Sequence, residues 1–150
     1  PYHLEQVPVT DAMVAATGLA VRPTEAWLAR DLVLVYEDEA DVRRMTPDMA
    51  QVAALDGLLL HVTAPGRDYD CVSRSFGPKC GIVEDPVCGS GHCHILPYWA
   101  GRLGKPDLKA FQASRRTGVL YGHCGPDRIT ISGHAVLFAK GAAQDEVGDR

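Results

Sequence analysis

The sequence predicts an α+β fold in which many strands surround one enclosed helix. Short apolar runs separated by turn residues recur along the chain, and such runs are typical of strands. One segment, 90–103, instead carries apolar residues at helical spacing and on several faces, as in a helix enclosed by its neighbours. With 150 residues, 46% of them hydrophobic and 23% charged, the chain suits one compact domain and not a disordered one.

The first half of the chain is predicted to mix short helices with strands. Thr10 can cap a helix over 12–17. Thr46 as N-cap and Pro47 at the first helical position predict a second helix that ends near residue 55. The apolar runs predict four strands, at 27–29, 32–36, 57–64 and 69–76. The last two of these strands should form a pair around a Pro-Gly turn.

The second half of the chain is predicted to hold the enclosed helix and the remaining strands. The helix covers 90–103, and Pro97 should bend it. We expect one lobe over 1–141 and a polar, frayed tail over 142–150. Turn residues separate four further strands, at 111–114, 117–121, 128–132 and 135–139.

Charge and composition exclude several classes of partner. A net charge of −4 and a pI near 5.8 argue against nucleic acid or an anionic membrane as the main partner. The longest apolar run, 55–62, contains Asp56 and His61 and is too short to cross a membrane. The five cysteines are irregularly spaced, and nothing at the start of the chain marks secretion, so we expect a reduced, cytoplasmic setting.

The start of the long helix is the first candidate site. Gly89 and Gly91 flank Ser90 just before the apolar helical segment. Backbone without side chains can approach a ligand closely, and the first N–H groups of a helix point outward to a carboxylate or phosphate. A tight turn without any ligand has the same pattern, so the spacing alone leaves both interpretations open.

The residues before this helix start carry the candidate acid–base groups. Asp85 precedes Pro86, which favours extended backbone, so Asp85 could bond a substrate or orient an acid–base partner. For Glu84 we favour a structural role, in which its negative charge interacts with the positive end of the helix dipole. Cys88 would lie at the N-terminal end of the helix, where the helix dipole should lower the pKa of its thiol. A thiol with a lowered pKa is suited to proton transfer. A small buried hydrophobe is an equally good interpretation of Cys88.

A metal site is the rival interpretation of the same region. Two histidines and three cysteines crowd together there, but His92 and His94 would face different directions on a helix. No C-x-x-C pair accompanies them, so we predict no metal. We expect one of these two histidines to line a pocket and the other to be packed. The crowded residues are Cys80, Cys88, His92, Cys93 and His94.

Two stretches of the chain carry a family resemblance. The first is Arg74-Ser75-Phe76-Gly77-Pro78, and the second is Gly81-Ile82-Val83-Glu84-Asp85-Pro86-Val87-Cys88-Gly89-Ser90-Gly91-His92. Together they are similar to the signature of the phenazine-biosynthesis-like (PhzF-like) isomerases. The match continues through 98–99, 103–105, 112–116 and 127–136, so it spans at least 69–141. The preceding part of the chain also fits the second, C-terminal lobe of that family.

The resemblance implies a fold shared with diaminopimelate epimerase. That fold has two similar lobes, each a curved, barrel-like mixed sheet wrapped around a central helix, which would start at Ser90 here. Family members move a proton on small carboxylated metabolites in the cleft between the lobes, without a cofactor. We therefore expect Asp85 and Cys88 to be catalytic. The expected substrate-binding residues are Gly89, Ser90, Gly91, His92 and Arg74.

The chain also departs from the family pattern. Cys88 stands where many members carry threonine, which is similar to the two-thiol arrangement of diaminopimelate epimerase and proline racemase, and Gly91 stands where many carry alanine. The catalytic glutamate of the family belongs to the N-terminal lobe, which we expect to be absent from this chain. We expect an isomerase or epimerase completed by that lobe. The alternative is a non-catalytic module that binds carboxylates or associates with itself as a homo-oligomer.

Overall fold

One mixed sheet organises the chain, of which the structure, a computed structural model, describes residues 2–141. Its eight strands lie side by side in chain order. They are β1 (Glu5–Val7), β2 (Glu25–Leu28), β3 (Leu32–Val35), β4 (Leu60–Pro65), β5 (Cys71–Phe76), β6 (Asp107–Gln112), β7 (Gly118–Cys124) and β8 (Ile129–Ser132). The helices are α1 (Asp11–Thr17), α2 (Glu39–Arg44), α3 (Met49–Ala54) and α4 (Gly89–Leu103).

The direction of the strands follows from the connections between them. Strands joined by short turns pair antiparallel, as do β1 and β2, which are joined through α1, whereas β3–β4 and β5–β6 are parallel. Parallel neighbours need a long crossover. The helices α2 and α3 lie in the first crossover and α4 in the second. The predicted α+β class and mixed sheet are therefore confirmed, but within residues 2–141 the sheet stays open, so the barrel-like closure is not.

The core has two parts, one on each face of the sheet. Adjacent residues of a strand point to opposite faces, and in β3 Leu34 joins one buried cluster while Val35 joins the other. The first cluster includes side chains from α1, α2 and α3. The second includes Ile95, Leu96 and Trp99 of α4. Trp99 also donates from Nε1 to Oγ1 of Thr63 on β4, at 2.9 Å, which fixes α4 against the sheet.

The long helix is enclosed along its middle, as the sequence predicts, and exposed at its two ends. Its buried residues include His92, Ile95 and Trp99, whereas its last residue, Leu103, is 44% exposed. Its exposed residues are those at the two ends, 89–90 and 101–103, whereas every residue of 91–100 is buried or half-buried. With 15 residues it is the longest helix in residues 2–141, and none there is long and apolar enough to span a bilayer.

The caps of the short helices show which local predictions hold. Thr10 caps α1 by accepting a hydrogen bond from the backbone N–H of Met13, at 3.2 Å, as predicted. The predicted start at Thr46 and Pro47 is wrong. Asp48 is the N-cap of α3, because its carboxylate accepts from two backbone N–H groups of the first turn.

Three other elements differ from the prediction. The strand β1 and the helix α2 were not predicted, and the strand predicted at 135–139 does not form. Val136 and Phe138 in that segment are 91% and 99% exposed. Within residues 2–141 the sheet ends at β8, and this segment does not pair with the free edge of that strand. The tail predicted to fray, 142–150, lies outside the described residues.

We predict opposite stability effects for alanine at two glycines of α4. A Cβ at Gly91 would lie 2.5 Å from Cε1 of His61, a fully buried ring. A Cβ at Gly101 would meet nothing within 4 Å. Gly101→Ala should raise the free energy of unfolding by about 0.5–1 kcal/mol through helix propensity. Gly91→Ala should lower it by about 1–2 kcal/mol, because overpacking outweighs that gain.

Urea denaturation of the two variants measures both effects. Gly101→Ala is the matched control, since it is the same substitution in the same helix without the steric contact. Equal stabilisation by both variants would show that the His61 ring can move away from the added Cβ without loss of stability.

Candidate active site

The turn before α4 is held in place by two side chains from the end of β6 and the residues after it. The backbone N–H of Cys88 donates to Oε1 of Gln112 at 2.7 Å, and Nε2 of Gln112 donates to the carbonyl of Asp85 at 2.6 Å. Oγ of Ser114 donates to the carbonyl of Pro86 at 2.6 Å. Gln112 is fully buried, so the turn has a fixed shape against the sheet. Sequence patterns gave Gln112 no role, because its amide acts only once the turn is packed beside it.

Asp85 is half-buried at the bend of this turn. Its backbone N–H donates to the carbonyl of Ser75 at 2.9 Å, and its Oδ1 accepts from the N–H of Val87 at 3.0 Å. One carboxylate oxygen therefore stabilises the turn around Pro86. The other oxygen accepts from no N–H group in residues 2–141, and the carboxylate adds to burial in raising the pKa of the Cys88 thiol, by its charge and by hydrogen bonding.

Cys88 is the N-cap of α4 and is only 3% exposed. Its Sγ accepts a hydrogen bond from the N–H of Gly91 at 3.3 Å. Burial raises the pKa of the Cys88 thiol, and hydrogen bonds from Ser90 and Gly91 oppose that rise only in part. The predicted lowering of this pKa is wrong, because burial outweighs the helix dipole. Cys88 is thus a protonated thiol at neutral pH.

The amides that open α4 are not equivalent. Gly89 and Ser90 are exposed, and the first N–H groups of a helix have no acceptor within the helix. The N–H of Gly91 is already bonded to Cys88, and Gly91 is buried against His61. The predicted carboxylate contact therefore fits Gly89 and Ser90, whereas Gly91 allows the close approach of His61.

His92 does not line a pocket, as the sequence interpretation allowed, but lies in the core. Its ring is fully buried, with Nδ1 2.7 Å from the carbonyl of Cys88 and Nε2 3.3 Å from Oγ of Ser73. Burial lowers the pKa of His92 to about 4. The ring therefore joins α4 to β5 as a neutral hydrogen-bonding group, and the expectation of substrate contact needs correction.

Arg74 is also engaged inside the protein. Its Nε and Nη2 donate to the two carboxylate oxygens of Glu84 at 2.7 and 3.1 Å, and its Nη1 donates to the carbonyl of Met45 at 2.6 Å. Only 13% of its side chain is exposed. Arg74 thus ties the loop before α4 to the end of α2, and Glu84 pairs with it rather than with the helix dipole. This pairing corrects the expectation that Arg74 binds substrate.

A buried polar network below the helix start was not predicted. Asp31 is fully buried and accepts hydrogen bonds from Arg30, at 2.6 and 3.0 Å, and from His61, at 3.0 Å. The other ring nitrogen of His61 lies 2.9 Å from Oγ of Ser75. Burial acts to raise the pKa of Asp31, but the hydrogen bonds from His61 and Arg30 hold it well below its usual range. The carboxylate is therefore ionised, and we call this set, Arg30, Asp31, His61 and Ser75, the Asp31 network.

His94 borders the Asp31 network. Its Nδ1 lies 3.6 Å from Oδ2 of Asp31, and its ring stacks on Tyr2 with 4.1 Å between centroids. Within residues 2–141, Asp31, His61 and His94 form the one group of potential metal ligands, with ligand atoms within 4.8 Å of one another. Because Arg30 and His61 already bond the carboxylate oxygens, the contacts are those of an ion-pair network. The crowded histidines and cysteines noted in the sequence do not form such a group there.

Known proteins resemble this chain along most of its length. Residues 11–141 match the family model of phenazine biosynthesis-like proteins, PhzC-PhzF. An uncharacterized isomerase of Pseudomonas aeruginosa is 45% identical over 125 residues, which are 83% of this chain and 48% of that protein. A mouse phenazine biosynthesis-like domain-containing protein 2 is 43% identical over 100 residues, 63% of this chain and 35% of that protein.

Solved structures agree with these relatives. A PhzF family protein from Enterococcus faecalis superposes with a TM-score of 0.87 at 45% identity, over 94% of this chain and 54% of that chain. A PhzC/PhzF protein from Clostridium difficile gives 0.83 at 36% identity, with the same coverage of both chains. This chain therefore spans about half the length of the Pseudomonas relative and of the Enterococcus structure. The chain belongs to the phenazine biosynthesis-like (PhzC-PhzF) protein family.

Proposed function

We propose that this chain is one lobe of an isomerase that moves a proton on a small carboxylated metabolite. The observation that carries the proposal is that two exposed residues, Gly89 and Ser90, open a 15-residue helix beside the carboxylate of Asp85. Aligned backbone dipoles place partial positive charge at a helix N-terminus, which favours a bound carboxylate. The isomerase class comes from relatives that carry that name.

Each residue of the site has a role in the proposal. The amides of Gly89 and Ser90, with the Ser90 hydroxyl, bind the substrate carboxylate. Asp85 orients the substrate by accepting a hydrogen bond from it, so that the proton to be moved is correctly placed. Cys88 lies 3.6 Å from Oγ of Ser90, and with its raised pKa it is suited to give a proton rather than to take one.

The proposal requires a second surface to complete the site. Proton transfer at carbon needs a base near the substrate and exclusion of water, which an exposed helix start does not supply alone. Three apolar side chains beside the site are exposed, Ile82 at 41%, Val83 at 68% and Val87 at 39%. Apolar surface of this kind is favourable to cover. We propose that a complementary N-terminal lobe covers it and supplies the base, and that the reaction needs no cofactor.

We predict that Asp85→Asn lowers catalysis much more than stability. In the two-lobed protein, small carboxylic acids are incubated in heavy water, and deuterium uptake at carbon is followed by NMR. Asp85→Asn should slow the uptake by about 10²-fold, because an amide is a weaker acceptor than a carboxylate and would hold the substrate less well oriented. The free energy of unfolding should change by about 1 kcal/mol or less, because the amide oxygen can still accept from Val87.

Asp68→Asn is the matched control, since Asp68 is exposed and lies in the turn between β4 and β5. It should leave the uptake unchanged. Equal losses of activity and stability in Asp85→Asn would reduce Asp85 to a structural residue of the turn. Binding of carboxylates without deuterium uptake from any small acid would instead identify the alternative, a carboxylate-binding module.

A further inference from the structure

One side chain joins the turn between β2 and β3 to the start of α4. Arg30 lies in that turn, and its Nη2 is 3.2 Å from Oγ of Ser90. The same guanidinium donates from Nε and Nη2 to the two oxygens of Asp31, at 3.0 and 2.6 Å. A single planar group therefore contacts both a buried carboxylate and the serine of the proposed carboxylate site.

The Asp31 network fixes the orientation of this guanidinium. Asp31 has no exposed surface, and besides Arg30 it accepts from Nε2 of His61 at 3.0 Å and from the N–H of Leu59 at 3.3 Å. Rotation of Arg30 away from Asp31 would leave a buried carboxylate with fewer donors, which is unfavourable. The position of Nη2 beside Ser90 is thus set by groups outside the site.

The chemistry of the guanidinium decides the direction of the hydrogen bond to Ser90. A guanidinium has donors only, so Oγ of Ser90 must accept from Arg30. The hydroxyl hydrogen of Ser90 is then left to be donated elsewhere. In residues 2–141 the neighbouring acceptor is Sγ of Cys88 at 3.6 Å, and sulfur is a weak acceptor. A carboxylate at the amides of Gly89 and Ser90 would accept this hydrogen more strongly.

We propose that Arg30 is a positioning residue, which holds the Ser90 hydroxyl as a donor to the carboxylate of the substrate. The inference rests on the proposed function, because it requires a carboxylate at the start of α4. Arg30 acts through Ser90 in this proposal and not by direct contact with the ligand. It follows that removal of Arg30 should weaken carboxylate binding only while Ser90 carries its hydroxyl.

A double-mutant cycle on the isotope-labelled 150-residue chain tests this coupling. Acetate is titrated at constant ionic strength, and the amide shifts of Gly89 and Ser90 give its dissociation constant. We expect Arg30→Met and Ser90→Ala each to weaken acetate binding by about tenfold, the lower end of the effect of one lost hydrogen bond to a charged group. The double variant should bind no more weakly than Ser90→Ala alone.

Two further variants separate positioning from a general effect of charge. Arg30→Lys keeps the cation but lacks the rigid fork of donors that spans Asp31 and Ser90, so an intermediate loss of acetate affinity of about twofold to threefold is expected. Arg22→Met removes an arginine paired with exposed Asp11 and should leave acetate binding unchanged. If the amide signals of Arg30→Met lose their dispersion, that variant is unfolded. Arg30→Lys and its combination with Ser90→Ala then take its place in the double-mutant cycle.

The outcomes distinguish this inference from the proposed function. If wild-type chain shows no shift at Gly89 and Ser90 with acetate beyond that with uncharged acetamide, the carboxylate site itself is wrong, and both proposals are overturned. If acetate binds but Arg30→Met binds it as tightly as wild type, only the positioning role is overturned. Independent, multiplying losses in the double variant overturn it as well, because Arg30 would then act without Ser90.

Discussion

Asp31→Asn should lower the free energy of unfolding by about 3–5 kcal/mol, the usual cost of removing one partner from a buried ion pair. Asp31 has no exposed surface, and its oxygens accept from Arg30, His61 and the backbone of Leu59. An amide can accept at one oxygen only, and its NH₂ group would face donors. The substitution would therefore leave Arg30 without its counter-charge and a buried ring nitrogen without its acceptor.

The chain supplies a matched control for this prediction in Asp11→Asn. Asp11 also pairs with an arginine, Arg22, at 2.6 Å, the same N–O distance as the shortest contact between Asp31 and Arg30. The Asp11 side chain is 94% exposed, so its loss should cost less than about 1 kcal/mol. Urea denaturation at pH 7 compares the two variants. Equal losses would show that burial of Asp31 adds nothing to its ion pair.

Features that depend on neighbouring residues in the chain were predictable. Thr10 at the start of α1 has its cap pattern within three residues, and the β4–β5 pair has its turn between two apolar runs. The glycine-rich start of α4 was likewise found where the pattern placed it, with a difference of one residue. In each case the physical cause, a cap or a turn, acts over a few residues.

Features that depend on packing were not predictable from local pattern. The Asp31 network brings together Arg30, His61 and Ser75 from separate strands and turns, and nothing in the spacing of these residues marks them as neighbours. The dipole argument for Cys88 used only its position on the helix, whereas the burial that raises its pKa comes from the sheet below. His92 was misjudged for the same reason.

Acidification should destabilise this chain steeply, beginning below pH 6.5, because two of its histidines are buried and neutral. Burial lowers the pKa of His92 and of His94 to about 4. Asp31 and Asp85 act to raise these values, and His61 lowers both, but burial is the larger effect. In the unfolded chain both histidines titrate near their ordinary pKa of about 6.5.

The sign of the effect follows from proton uptake. Between about pH 6.5 and 4 the unfolded state binds protons that the folded state does not, so the free energy of unfolding falls as the pH falls. The slope is about 1.4 kcal/mol per pH unit for each histidine, and from pH 6.5 to 4.5 we expect a total loss of roughly 3–5 kcal/mol. The carboxylate of Asp31, whose pKa is lowered, adds its own loss only below about pH 4.

Urea denaturation at half-unit steps from pH 7.5 to 4.5 measures this slope. His92→Gln should remove about half of it even where the variant is less stable at pH 7, because glutamine does not titrate but can still bond Cys88 and Ser73. His3→Gln is the control, since His3 is exposed and should leave the slope unchanged. A stability that stays flat between pH 6.5 and 4.5 would mean that the folded protein accepts both protons, and that α4 lifts from the sheet readily enough to hydrate His92.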